Sequence, residues 1–86
     1  MSFTYDLHKS RKNMAKHGID FVQAQRLWDD PNRQEVPARK IDEERSMVIG
    51  RIEDKVWTAI ITYRDDVIRI ISVRSARKEE IERYEG

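Results

Sequence analysis

Ser72 and Arg74 sit two apart at the end of the run Ile68-Arg69-Ile70-Ile71-Ser72-Val73-Arg74. On an extended chain that spacing sends both side chains from one face, continuing the row begun by Ile68 and Ile70. A hydroxyl beside a guanidinium, whose planar fork of donors matches an oxyanion, can hold a phosphate. The plainer alternative is an arginine that marks the solvent end of a core strand. Lys16 and His17 form a second pair, at the end of a segment (residues 8–17) that also carries Lys9, Arg11 and Lys12 and contains no acid. Arg45 and Tyr84 complete the set.

These residue types suit metal-free acid–base chemistry on a phosphodiester. RNA brings its own nucleophile, the 2′-hydroxyl. An enzyme then has to take that proton, stabilise the charge of a phosphorane-like transition state and protonate the leaving 5′-oxygen. Lys16, His17, Arg45, Arg74 and Tyr84 can divide those tasks while Ser72 orients an oxygen or a side chain. Each also has a structural explanation. Lys16 and His17 complement the dipole at a helix C-terminus, Arg45 opens a strand beside acids, Ser72 caps a buried row, and Tyr84 packs with its hydroxyl in water.

Other chemistries find little support. There is no cysteine, which removes disulfides and thiolate ligands. His8 and His17 are separated by basic residues and lack metal-site spacing. Gly18, Gly50 and Gly86 make no phosphate loop, and no serine lies in a nucleophile elbow. We therefore expect neither metal nor cofactor. No apolar leader or membrane-length run is visible, so the expected location is the cytoplasm, with no membrane partner.

The chain has 86 residues, 38% hydrophobic and 38% charged, with a net charge of +1. That length suits one domain, residues 1–86. The near-neutral total announces no nucleic-acid partner, but the distribution is uneven: basic over residues 8–17, acidic over residues 29–44.

The elements that must position the candidates follow from local signals. Phe3-Thr4-Tyr5 suits a short strand. Asp6 as N-cap and Gly18 at C′ bound a helix over about 7–17. Asp20 and Gln23 have capping-box spacing, and Phe21, Ala24, Leu27 and Trp28 give an apolar stripe that Pro31 ends. A tight helical hairpin is expected. A short edge strand can form at 34–36, before an acidic loop at Asp42-Glu43-Glu44. Strands at about 45–52, 56–64 and 67–74, joined by links too short for crossovers, predict an antiparallel meander with 56–64 central. Ser75 can cap a last helix that returns Ile81 and Tyr84 to the sheet. The order β-α-α-(β)-β-β-β-α predicts an α+β domain on one antiparallel sheet.

Taken together, Asn13-Met14-Ala15-Lys16-His17-Gly18-Ile19-Asp20-Phe21, Asp30-Pro31, Glu44-Arg45, Ile49-Gly50, Arg69 to Arg74, Ala76, Glu80 and Tyr84 resemble the BrnT family of bacterial toxins from Phe3 to Tyr84. The resemblance implies a RelE-like fold and an RNA-cleaving toxin. It implies inhibition by a cognate, BrnA-like antitoxin, and operon repression in which operator DNA is reached only through that partner. Carried over, the motif falls on Lys16, His17, Arg45, Ser72, Arg74, Glu80 and Tyr84. The roles expected are His17 or Lys16 as base, Arg45 and Arg74 as phosphate clamps, and Ser72 as orienter. Glu80 holds an arginine, and Lys9, Arg11 and Lys12 grip RNA or an acidic antitoxin segment. The chain departs from the family pattern at Tyr5-Asp6-Leu7 and at Val73, which look like packing changes. The rival is a module of the same fold that binds RNA or protein without turnover.

Overall fold

The structure is a computed structural model and describes residues 1–38 and 44–86. In chain order the elements are β1 (Ser2–Thr4), α1 (Leu7–His17), a 3₁₀ helix (Gln23–Asp29), β2 (Gln34–Pro37), β3 (Arg45–Ile52), β4 (Lys55–Arg64), β5 (Val67–Ser75) and α2 (Lys78–Glu85). The strands form one five-stranded sheet in the order β1-β5-β4-β3-β2. The expected meander is present, with β4 at its centre and β2 on an edge. Its two tight turns each hold their first residue at positive φ, Glu53 at 57° and Asp65 at 56°. Asp42 and Glu43 of the expected acidic loop lie outside the described residues.

Helix α1 has the caps read from its sequence. Asp6 Oδ1 accepts from the Lys9 N–H at 3.0 Å, and Gly18 closes the helix at φ 77°. The Asp20–Gln23 capping box also forms, each side chain accepting from the other's backbone N–H at 2.7 and 3.0 Å.

Four expectations need correction. The sheet is mixed, because β1 pairs in parallel with β5 through Phe3↔Ile68 and its neighbours. Short links force antiparallel pairing only inside the meander, and β1 reaches its partner across most of the chain. The second helix is 3₁₀: Phe21, Ala24 and Leu27, each three apart and all buried, line up best in a helix of three residues per turn. It packs against β3 while α1 packs against β5, so the two do not form a tight hairpin. The last helix begins at Lys78 with Arg77 at its N-cap, because Ser75 is still paired with Trp57 in β5.

The fourth correction concerns the face alternation of β5. A bulge falls at Ile71, since Ile61 pairs with Ile70 but Ile60 with Ser72. One extra residue reverses the faces beyond it. Ile68, Ile70 and Val73 therefore enter the core, and Ser72 and Arg74 emerge on the other face instead of continuing the Ile68–Ile70 row.

The core lies between the sheet and the α1–3₁₀ layer, around Phe21, Leu27, Val48, Ile61, Ile70 and Val73. Tyr5 stacks edge-on against Phe21 and Phe3 against Trp28. Gly50 permits the close approach of the 3₁₀ helix, as a Cβ there would lie 3.1 Å from Leu27 Cδ2. Among the described residues no helix is long and apolar enough to cross a membrane.

Candidate functional site

Directly opposed residues in a sheet share a face, so the register defines what lies opposite the core. The row Gln34–Ile49–Thr58–Arg74 runs beneath α2. Beside it runs Val36–Met47–Ile60–Ser72, then Arg45–Thr62–Arg69. Three of the candidate residues, Arg45, Ser72 and Arg74, thus share one face, together with Arg69. A groove of about 590 Å³ follows α2 across this face, with Val36, Met47, Ile49 and Ile60 on its floor and Arg77 and Glu79 on its rim.

Glu80 organises the end of this face. Its carboxylate accepts from Arg74 Nη1 and Nη2 at 2.8 and 3.0 Å, from Thr58 Oγ1 at 2.9 Å and from the Arg77 N–H at 2.8 Å. The last bond completes the start of α2. Above all the arginine, and with it these other donors, holds the Glu80 carboxyl down at about 2 despite its burial. In return the carboxylate raises the pKa of Arg74. Arg74 Nη1 also donates to the Ser75 carbonyl at 3.3 Å. The end of the guanidinium is thereby fixed, while its side edge, Nε–H with the outer Nη2–H, has no partner among the described residues. Arg45 is already engaged within the protein.

Lys16 and His17 lie in the last turn of α1. Asn13, one turn earlier, is buried, and its amide donates to the Val73 and Ile19 carbonyls, each at 2.8 Å, and accepts from the Val73 N–H at 3.2 Å. Strand β1 has ended by this point, leaving the β5 edge unpaired by any strand. Asn13 supplies the missing donor and acceptor, and so fastens the end of α1 to the residue between Ser72 and Arg74. The two groups lie at the same margin of the sheet, but Lys16 and His17 are carried on the core-side layer. Lys9, Lys12 and Lys16, spaced by three and four, form a cationic line along the exposed surface of α1, with Arg11 beside it.

Tyr84 is placed elsewhere. Its hydroxyl donates to Asp30 Oδ2 at 2.5 Å, and Asp30 also accepts from the Arg51 and Asn32 N–H groups, each at 2.8 Å. Burial pushes the Asp30 carboxyl up, but these donors outweigh it and the net shift is downward. The bond to Asp30 raises the Tyr84 phenol. Arg51 lies over the Tyr84 ring, on β3, two strands from β5 and so about 10 Å from it at ordinary spacing. The structure does not bring this hydroxyl together with Ser72 and Arg74. Among the described residues no three His, Asp or Glu side chains form a metal-binding group.

A family model described as the ribonuclease toxin, BrnT, of type II toxin–antitoxin systems matches residues 5–80. The chain belongs to the BrnT family. Comparison with curated proteins returns no match. The BrnT match spans both halves of the site, from α1 to the Arg74–Glu80 pair, and stops short of Tyr84. Membership of a ribonuclease toxin family implies an RNA target and an antitoxin partner. Two residues of this site carry no role in the sequence reading: Asn13, whose signal is an amide on the buried side of a helix, and Arg69, which the bulge conceals.

Proposed function

We propose that the chain is an endoribonuclease toxin of RelE-like fold that cleaves RNA without a metal, through the 2′-hydroxyl of its substrate. His17 or Lys16 takes the 2′-proton as the oxygen attacks phosphorus, and the leaving 5′-oxygen takes a proton from the other of the two. Arg74 presents the side edge of its guanidinium to the phosphate, Arg45 adds positive charge, and Ser72 orients an oxygen. Lys9, Arg11 and Lys12 hold flanking phosphates. Tyr84 belongs to the scaffold through Asp30. A cognate BrnA-like antitoxin covers the site, and through it the pair represses its operon in the cytoplasm.

The observation that carries this reading is the Asn13–Val73 clasp, which ties the helix bearing Lys16 and His17 to the strand residue next to Arg74, an arginine fixed along one edge and unengaged along the other among the described residues. The test incubates purified protein with RNA in excess EDTA. Fragments ending in 2′,3′-cyclic phosphate are expected, and His17→Ala and Arg74→Lys each slow cleavage by about 100-fold or more. Cleavage that requires a divalent ion, or RNA retained without fragments, overturns the mechanism.

A further inference from the structure

Four described arginines are half-buried: Arg45, Arg51, Arg69 and Arg74. Arg51 faces Glu85 and Tyr84, Arg74 faces Glu80, and Arg45 is engaged within the protein. Among these, the Arg69 side chain alone has no hydrogen bond, ion pair or ring contact with any described residue. Partly buried charges are ordinarily matched, so this guanidinium is a donor fork without an anion.

Its position says which anion. On a regular strand Arg69 and Ser72, three apart, face opposite ways. The Ile71 bulge brings them to one face, with Arg69 directly across from Thr62 and Arg45. The only acid joined to an arginine of these rows by a described ion pair is Glu80, spent on Arg74, and the Thr62 hydroxyl is spent on the Glu44 carbonyl at 3.2 Å. The Arg74 row and the Arg69 row cross β4 four positions apart, at Thr58 and Thr62, about 13 Å along the strand. Arg69 therefore lies beyond reach of the phosphate that Arg74 holds, further along the same face.

We propose that Arg69 is a second phosphate-binding residue, contacting the RNA backbone away from the scissile bond and setting the path of the strand across the sheet. This rests on the ribonuclease reading above. The test measures binding of a short single-stranded RNA to the cleavage-impaired His17→Ala protein over a range of salt concentrations. Adding Arg69→Ala is expected to weaken binding by about 5- to 20-fold at low salt. The slope of log affinity against log salt should fall by about 0.7, the value for one phosphate contact on a single strand. Arg69→Lys should keep the slope and recover part of the affinity. The control Arg26→Ala, on the 3₁₀ helix and paired with Glu53, removes the same charge and should leave both unchanged. The melting temperature should not fall with Arg69→Ala, since no internal partner is lost. Matching behaviour of Arg69→Ala and Arg26→Ala overturns the proposal while RNA binding by the parent protein leaves the ribonuclease reading standing. Absence of any RNA binding overturns both.

Discussion

Val48, Ala59, Ile61, Ile70 and Val73 have almost no exposed surface on one side of the sheet. Across the same strands Arg45, Arg69, Ser72 and Arg74 remain half-exposed. On the first side the polar groups are few and spent on backbone: Ser10 accepts from the Phe21 N–H, and Asn13 serves Val73 and Ile19. On the second side, polar groups are held in place by one another, and some donors remain uncommitted. Stability is concentrated in the core side, whose apolar burial needs no external partner. Recognition is left to the other side, where one short helix fixes an arginine without covering it.

The largest test of this contrast is the Arg74–Glu80 pair. Removing Arg74 leaves a carboxylate, 8% exposed in its side chain, without its cation. Arg74→Ala should cost about 3–5 kcal/mol by urea unfolding, and Arg74→Met with Glu80→Leu should recover much of it. A loss below about 1 kcal/mol would mean that α2 is held by something else. The pair also sets an acid limit. Glu80 is depressed from 4.5 to about 2, so its contribution is complete above pH 4.5 and is lost as pH falls through about 2. Glu80→Gln should flatten that part of the stability profile.

Asn13 comes next. Asn13→Ala leaves two buried carbonyls and one N–H without partners, and should cost about 2–3 kcal/mol. If the clasp also positions Lys16 and His17, cleavage in protein still folded at low temperature should fall further than the folded fraction does. Proportional losses would confine Asn13 to the core side.

The smallest effect is expected at Tyr84. Tyr84→Phe deletes one hydrogen bond to a charged group and should cost about 1–2 kcal/mol, with cleavage retained. A collapse of cleavage in a stable Tyr84→Phe protein would return the hydroxyl to the chemistry and move the active region toward β3.

Much of the scaffold was legible because its signals are local. The two-residue turns at 53–54 and 65–66, the caps at Asp6 and Gly18, and the apolar density of β4 each act within a few residues. What escaped depends on distant partners. Parallel pairing of β1 with β5 has no local cue. The extra residue of the bulge, Ile71, follows another isoleucine, Ile70, so nothing in the sequence marks where the alternation turns over. Asn13 was visible only as part of a motif, because its partners lie 6 and 60 positions away.

The supernumerary residue at Ile71 works like a half-twist in a ribbon: which side chains meet oil and which meet water is decided downstream by a count. Exchanging one aliphatic residue for another there alters packing, whereas flattening the bulge with every residue kept would point Arg74 at the interior and Val73 at solvent. Removal of Ile71 itself should therefore leave Ser72, Val73 and Arg74 on the sides they now occupy.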